Sequence, residues 1–192
     1  MKVAGIVGSH RENSNAEFLA REALNEVEKN NCETEIISLC GKRIDPCKEC
    51  KTCPEDCILA DDAAEILKKL KQADGIIVST PVFFSSVSGQ LKNLFDRSVI
   101  LRRHGFLLRN KVGGAIAVGG SRNGGQEVAI LEILAWMLFH DMVVVGDGAP
   151  YAHFGAASWA RNAGEAKDDR IGIESARNLG KRISEVFEMI ER

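Results

Sequence analysis

The sequence lacks both a strong excess of charge and any long apolar run. Its 25 Lys and Arg residues nearly balance its 27 Asp and Glu residues, and the formal net charge of −2 gives no basic field for nucleic acid or anionic lipid. No apolar run approaches the roughly 20 residues of a transmembrane helix. The apolar residues after Lys2 stop at Gly8, which is too short for the apolar region of a signal peptide. We therefore expect a cytoplasmic protein without a nucleic-acid or membrane partner.

A G-x-G-x-x-G motif is also missing from the loop that follows the first apolar segment. A dinucleotide held in the Rossmann manner is therefore not indicated. What is present is a chain of 192 residues, 45% hydrophobic and 27% charged, which is typical of a globular protein with a well-buried core. We predict a single domain over residues 1–192, with a cysteine-rich loop at about 40–60 and a C-terminal loop and helix at about 147–192.

Short apolar segments alternate with longer helical patterns along the chain. Continuous apolar runs such as 76–78 are typical of strands that are buried on both faces of a parallel sheet. The alternation predicts an α/β fold, a three-layer α/β/α sandwich around a five-stranded parallel sheet, and we favour the flavodoxin-like strand order 2-1-3-4-5. The predicted strands lie at 2–8, 34–39, 75–80, 112–118 and 142–145, and residues 146–164 are predicted to be irregular.

In such a sheet, ligands bind beyond the carboxyl ends of the strands, near the point where the strand order reverses. The loops after the first, third and fourth strands meet there. The first of them, Ser9 to Asn15, offers hydroxyl groups, Arg11 and the free N–H groups of a helix start, which together suit a terminal phosphate. Ser14 and Glu17 also fit a simple capping box, so a purely structural role for this loop stays open.

The loop after the third strand contains Phe83 and Phe84 beside several hydroxyl groups, and an apolar wall next to polar groups suits a planar heterocycle. The alternative is a pair of core phenylalanines followed by a helix cap. The loop after the fourth strand is rich in glycine, which lets a ligand approach the backbone closely, and its Arg122 can donate to a carbonyl-rich ring edge. A flexible turn is the alternative for that loop.

Four of the six cysteines fall in one run with the spacing C-x2-C-x2-C-x3-C, at Cys47, Cys50, Cys53 and Cys57. Charged neighbours indicate that the run lies at the surface, on the connection after the second strand. Three thiols at successive two-residue gaps suit a cuboidal iron–sulfur cluster better than a zinc site, which commonly uses two separated pairs. Zinc and free or disulfide-forming thiols remain alternatives. Cys40 is expected to be structural, but it also remains open as a substitute ligand.

The loops together resemble those of a known family. Three motifs carry the resemblance, in this order: Gly8-Ser9-x-Arg11-x-x-Ser14-Asn15; Thr80-Pro81-Val82-Phe83-Phe84 with Val87-Ser88-Gly89-Gln90-Leu91-Lys92-Asn93-x-x-Asp96-Arg97; and Gly120-Ser121-Arg122-x-Gly124-Gly125-Gln126-Glu127. They are similar to the NADPH-dependent FMN reductase-like flavoproteins and, more narrowly, to the archaeal iron–sulfur flavoproteins. The resemblance extends from Lys2 to about Asp147.

The resemblance implies a flavodoxin-like FMN-binding domain in which the first loop binds the FMN phosphate, the second borders the isoalloxazine and the third contacts the ring edge. The FMN-binding residues that it implies are Ser9, Arg11, Ser14, Asn15, Pro81, Val82, Phe83, Phe84, Ser121, Arg122 and Gly124. It also implies a [4Fe–4S] cluster on the four cysteines of the run. The last interval of the run, between Cys53 and Cys57, is shorter than the family's pattern.

The implied activity is that of an FMN-dependent oxidoreductase, an electron-transfer flavoprotein with a ferredoxin-type donor and a small-molecule acceptor. No conventional acid–base residue or nucleophile is required, because the cofactors carry the chemistry. A cluster-free NAD(P)H-dependent FMN or quinone reductase is the alternative, and a redox sensor that uses the cysteines as a switch is a third. We expect a homo-oligomer, either a dimer or a tetramer. Asp96 and Arg97 are interpreted as a local ion pair or an interface contact.

Overall fold

A computed structural model describes residues 1–51, 53–54 and 57–190. Thr52, Glu55 and Asp56 of the predicted cysteine-rich loop, and the last two residues of the predicted domain 1–192, lie outside the described residues. The strands are β1 (Lys2–Val7), β2 (Glu33–Ser38), β3 (Gly75–Pro81), β4 (Val112–Gly119), β5 (Val143–Val144) and β6 (Ala156–Trp159). The helices are α1 (Asn15–Glu28), α2 (Ala63–Gln72), α3 (Gly89–Arg97), α4 (Val99–Arg103), α5 (Gln126–Phe139) and α6 (Arg170–Ile190), with a short 3-10 helix at Glu165–Asp168.

All these strands pair in parallel in one sheet with the order β2-β1-β3-β4-β5, which confirms the predicted flavodoxin-like order. The sixth strand, β6, is additional. It pairs with the end of β4, at Ile116 to Gly119, whereas β5 pairs only with Val112 and Gly113 at its start. Because β3 occupies the other edge of β4, β5 and β6 share one edge in succession.

The prediction that residues 146–164 are irregular is therefore wrong at Ala156–Trp159. This strand has only four residues, AASW, and alanine and serine carry little intrinsic preference for a strand. The free edge at the end of β4 supplies the hydrogen bonds that make these residues a strand. The helical stretch that follows β3 is divided in two, since α3 and α4 meet at Ser98.

Alternation along the strands divides the core into two layers. Val3 and Val7 of β1 and Ile77 of β3 pack on one face of the sheet, against α1 and α6. Ile6 and Val78 point to the opposite face, where α2, α3 and α5 cover the sheet. Both central strands are thus buried on two faces, as their continuous apolar runs predict. Among the helices of the described residues, none combines the length and the apolarity that a transmembrane span requires.

The reversal of strand order lies between β1 and β3. The chain leaves β1 toward α1 on one face and leaves β3 toward α3 on the other, so a crevice opens between the two connections. Two buried hydrogen bonds fix its floor: Gly8 N–H donates to Ser79 O at 2.8 Å, and Ser79 Oγ donates to Ala16 O at 2.7 Å. The crevice is where the predicted ligand loops meet.

Candidate flavin cleft and cysteine site

A cleft of about 220 Å³ lies at the carboxyl edge of the sheet, between the loops that follow β1 and β3. Seven of the predicted FMN-binding residues line it: Ser9, Arg11, Ser14, Asn15, Pro81, Val82 and Phe83. Gly120, from the loop after β4, contributes to the wall, and so does the segment after β6 through Ala160, Arg161 and Ala163. The cleft thus has a polar end at the start of α1 and an apolar end at the end of β3.

The polar end is organised by two serines. The Oγ of buried Ser9 accepts a hydrogen bond from Arg11 N–H at 3.1 Å, which closes the loop on itself. Ser14 is the N-cap of α1, and its Oγ accepts from Glu17 N–H at 3.1 Å. The structural role that the sequence left open is therefore real. It is also compatible with anion binding, because the first-turn N–H groups and the positive end of the helix dipole face the same end of the cleft as Arg11.

Asn15 joins this loop to the segment after β6. Its Nδ2 donates to Asn162 O at 2.8 Å, and its Oδ1 accepts from Gly164 N–H at 2.9 Å and from Ala166 N–H at 3.3 Å. The Asn15 side chain is thereby committed to holding the outer wall of the cleft. The backbone N–H of Asn15, at the start of α1, can still donate to an anion.

The same wall contains Arg161, a cleft residue that the sequence reasoning missed. Glu165 Oε2 accepts from Arg161 N–H and from Asn162 N–H, both at 2.8 Å, and these hydrogen bonds lower the pKa of the Glu165 carboxyl, led by the bond from Asn162. An ionised Glu165 therefore holds the turn that presents Arg161 to the cleft. No local signal identifies Arg161, because the wall is assembled by contacts with the distant Asn15.

The loop after β3 is a tight turn with unusual backbone angles. Phe83 and Ser86 exchange two backbone hydrogen bonds of 3.0 Å, and the residues between them, Phe84 and Ser85, have φ angles of +49° and +63°. A left-handed conformation costs a residue other than glycine roughly 1 kcal/mol or more, so the turn needs support. Glu132 of α5 supplies it, since its Oε2 accepts from Ser86 Oγ at 2.6 Å and from Val87 N–H at 3.1 Å.

The two phenylalanines of this turn are not core residues, so that part of the alternative is wrong, whereas the helix cap that it expected is present at Ser88. Phe83 is 48% exposed and contacts the edge of His10 at 6.1 Å between ring centroids, while the Phe84 side chain is fully exposed. Phe83 lines the cleft with Pro81 and Val82, whereas Phe84 stands outside it at the tip of the turn. The apolar wall that a flavin ring would need is therefore present on one side of the cleft.

Gln126 organises the loop after β4. Its Nε2 donates to Ser121 O at 2.7 Å and its Oε1 accepts from Gly124 N–H at 2.9 Å, so one buried side chain spans the loop. Gly125 has a φ of +91° and packs against the turn after β3. Neither Ser121 nor Gly124 lines the 220 Å³ cleft, and Arg122 lies in open grooves beside Trp159. The structure thus places these three predicted residues next to the cleft rather than in its wall.

The four cysteines of the run are half-buried and line one small cavity of about 30 Å³. None of the described residues that line it carries a carboxylate. Three cations, Lys48, Arg97 and Arg103, complete the wall together with the apolar side chains of Pro54, Ile58, Leu59, Val99 and Ile100. Soft thiol ligands with a cationic surround suit an anionic metal–thiolate centre.

The helix α4 holds this cavity from outside. Arg103 Nη1 donates to Cys50 O and to Cys53 Sγ, both at 3.1 Å. His104 Nε2 lies 3.2 Å from Cys53 O and from Pro54 O. Backbone and sulfur of the middle of the run are therefore tied to a helix that belongs to the core of the sheet's second face.

The thiols do not converge on one point. Within residues 1–51, 53–54 and 57–190, no group of three or more Cys, His, Asp or Glu side chains stands close enough to hold a metal ion. A single zinc ion needs four ligands around one centre, whereas a cuboidal cluster takes each thiolate on a different iron. Cys40 lies elsewhere, with its Sγ donating to His10 O at 3.1 Å, beside the cleft.

The strand order, the anion-ready end of α1 and the apolar wall after β3 together define the class: a flavodoxin-like FMN-dependent oxidoreductase. The model of the family "NADPH-dependent FMN reductase" matches residues 1–157. The chain therefore belongs to the NADPH-dependent FMN reductase family.

Similar proteins agree with that assignment. An iron–sulfur flavoprotein of Methanocaldococcus jannaschii is 53% identical, over 100% of both chains. An iron–sulfur flavoprotein of Methanosarcina thermophila is 42% identical, over 100% of this chain and 98% of its own. The solved structure of RosB with bound 8-demethyl-8-formylriboflavin-5′-phosphate has a TM-score of 0.79 at 18% identity, over 100% of this chain and 80% of RosB, and shows likeness of fold alone.

Proposed function

We propose that this oxidoreductase is an iron–sulfur flavoprotein that transfers electrons between a ferredoxin-type donor and a small-molecule acceptor, through FMN and a [4Fe–4S] cluster. One observation carries the proposal: Cys47, Cys50, Cys53 and Cys57 line one cavity whose other described walls are apolar or cationic. Ordinary packing would not gather four thiols of a charged surface loop in this way. The names of the two archaeal relatives support the same reading.

The residues of the cleft have distinct tasks in this proposal. Ser9, Arg11, Ser14 and the N–H groups of Asn15 and Ala16 hold the FMN phosphate, while Pro81, Val82 and Phe83 cover the ring. Phe84, Ser121, Arg122 and Gly124 border the ring edge from outside the cleft wall. When bound, FMN supplies a redox centre that can exchange electrons singly or in pairs. The protein's own contribution is to bind and orient it.

A cluster-free NAD(P)H-dependent FMN or quinone reductase is the second candidate. The observation that favours it is the spacing of the four sulfurs, which among the described residues form no group close enough for one metal ion. In that case the cysteines would be structural thiols and the open grooves beside Arg122 and Trp159 would receive the nicotinamide donor.

We further propose that the protein is a cytoplasmic homo-oligomer, a dimer or a tetramer. The support is α5, which exposes Val128, Leu131 and Leu138 to between 45% and 60% on one side while its other side packs in the core. Sedimentation of the purified protein should give the mass of two or four chains, and Leu131→Lys should shift it toward one chain. A wild-type protein that stays a single chain at every concentration would contradict this part of the proposal.

Cysteine variants test the cluster proposal and its weakest ligand together. Proteins purified without oxygen are analysed for iron, acid-labile sulfide and FMN. Cys57→Ala should lose most of the iron and sulfide while keeping FMN, whereas Cys40→Ala, the matched control outside the cavity, should keep all three. Loss of iron in Cys40→Ala, with iron retained in Cys57→Ala, would show that Cys40 rather than Cys57 is the fourth ligand. FMN without iron in the wild type would favour the reductase, and a zinc content of about one per chain would make the run structural.

A further inference from the structure

Helix α3 connects the cleft to the cysteine run. It begins beside the turn after β3, where its N-cap Ser88 accepts from Leu91 N–H through Oγ at 3.3 Å. Further along, the side chains of Gln90, Asn93 and Arg97 lie on one face of the helix, because they are three and four residues apart. All three donate to backbone carbonyls of residues 42–45: Gln90 to Lys42 O, Asn93 to Ile44 O at 2.9 Å and Arg97 to Asp45 O at 3.0 Å.

The last of these residues forms a buried ion pair. The side chains of Arg97 and Asp61 are 1% and 0% exposed. The contact is bidentate: the guanidinium donates from Nη1 to Oδ2 at 2.7 Å and from Nη2 to Oδ1 at 3.1 Å. Asp61 also accepts from Asp45 N–H at 2.8 Å and Ala63 N–H at 3.1 Å. One pair thus fixes residue 45 before the cysteine run and residue 61 after it.

Arg97 and Asp61 are both held in their ionised forms. Burial alone would raise the pKa of Asp61, but the hydrogen bonds from Arg97 and from the N–H groups of Asp45 and Ala63 outweigh it and lower that pKa. Burial alone would lower the pKa of Arg97, but Asp61 and then the neighbouring Cys57 outweigh it and raise that pKa. The cavity of the cysteines therefore has a permanent cation in its wall.

Two donors of that cation are not used by Asp45 or Asp61, and one of them is the Nε–H. A guanidinium has five N–H donors, and the contacts of Arg97 to Asp45 O and Asp61 use three of them. Its Nε is buried, and among the residues that the structure describes it has no hydrogen-bond partner. A buried donor without an acceptor is costly, and the side chain that carries it lines the cavity of the four thiols.

We propose that Arg97 is a positioning residue for the metal centre on the cysteines: paired with Asp61 it holds the run in its ligand-bearing conformation, and its Nε–H donates to a sulfur of that centre. The proposal rests on the proposed cluster. Such a donor and its charge stabilise the more negative, reduced state, so they raise the reduction potential of the centre. The same contact gives the Nε–H of Arg97 the acceptor that it lacks among the described residues.

Two variants separate the parts of the proposal, with Arg109→Lys, an exposed arginine paired with Asp141 at 2.9 Å, as the control. Arg97→Lys keeps the positive charge but removes the Nε–H and the bidentate contact with Asp61. In the protein purified without oxygen, we expect iron content near that of the wild type and a lower reduction potential for the iron–sulfur signal, with an unchanged flavin potential. Equal reduction potentials of the iron–sulfur signal in Arg97→Lys and the wild type would contradict the proposed hydrogen bond from Nε–H to sulfur. An equal shift of the flavin potential would contradict it as well.

Asp61→Asn tests the conformation without requiring a cluster. In protein stripped of metal by a chelator under reducing conditions, Cys57 should react with iodoacetamide several times faster in Asp61→Asn than in the wild type, while Cys40 reacts at the same rate in both. Equal rates at Cys57 would overturn the positioning role. Wild-type protein that never holds iron would reject the proposed function instead, and the labelling result would still decide whether the pair orders the run.

Discussion

Acid should weaken the fold through His140, which is buried at the end of α5 and 3% exposed. Its Nε2 lies 2.8 Å from Ser98 Oγ. The single hydroxyl proton of Ser98 is directed to Phe95 O at 2.6 Å, and Ser98 Oγ also accepts from Trp136 Nε1–H at 2.9 Å. The Nε2 of a neutral His140 must therefore carry the ring proton and donate to Ser98.

A second proton would have to sit on Nδ1. That atom is buried and has no hydrogen-bond partner among the described residues, so burial, followed by the nearby charge of Arg102, lowers the pKa of His140 to about 4. In the unfolded chain the pKa returns to about 6.5. The unfolded state thus binds the proton first as the pH falls, and the stability that a neutral His140 provides is complete above about pH 6.5 and is lost down to about pH 4.

Between pH 7 and pH 5 this linkage should cost the native state about 2 kcal/mol of unfolding free energy. The comparison is thermal unfolding of the wild type and His140→Gln across that pH range, because Gln keeps an N–H donor for Ser98 and does not titrate. In a chain of this size the wild-type Tm should fall by roughly 5 °C more than that of the variant. Parallel declines of the two melting temperatures, or a His140 pKa near 6.5 by NMR, would show that His140 does not weaken the fold in acid.

Three glycine variants and one cap variant test the packing, the loop after β4 and the start of α1. Gly180→Ala should lower the free energy of unfolding by about 2 kcal/mol in urea, because the new Cβ would lie 2.1 Å from Ala23 O, whereas Gly89→Ala, where a Cβ meets nothing within 4 Å, should be close to neutral. Gly125→Ala should weaken FMN binding about tenfold in a fluorescence titration, since its φ of +91° strains any side chain. Unchanged affinity would show that the loop after β4 does not contribute to FMN binding. Ser14→Ala should cost about 1 kcal/mol of stability by losing the cap, and an unchanged Tm would contradict its role.

Local patterns were enough to predict the sheet. The apolar runs of β1, β3 and β4 are buried on both faces, and their alternation with helices predicts a parallel sheet. The order 2-1-3-4-5 was favoured among the common orders of such sheets, and it is confirmed. The sixth strand was beyond such reasoning because its four residues have no strand-like composition. Only the unpaired edge at the end of β4, which exists after folding, makes them a strand.

The polar end of the cleft was predictable for a similar reason. A helix cap at Ser14 is a short-range signal, and a helix start beyond a buried strand suits an anion by its own geometry. Arg161 was not predictable, because its position depends on hydrogen bonds between Asn15 and residues 162–166, far away in the sequence.

Arg97 shows where the reasoning from sequence failed. The interpretation of Asp96 and Arg97 as a local ion pair or interface contact is right only in part: Asp96 pairs with Lys92 at 2.6 Å on the surface of α3, but Arg97 is buried against Asp61. Adjacent residues on a helix point about 100° apart, so one can face solvent while the other faces the core. The partner at position 61 belongs to the far side of the cysteine loop, which no helical pattern reveals.

The proposed function requires FMN and an iron–sulfur cluster in the same chain. The most direct measurement is quantitative analysis of flavin, iron and acid-labile sulfide in protein purified without oxygen, together with its visible spectrum. We expect about one FMN, four iron and four sulfide per chain, with a broad iron–sulfur absorption that fades on reduction. About one FMN with neither iron nor sulfide in the wild type, and the same contents in Cys40→Ala, would contradict the proposed cluster.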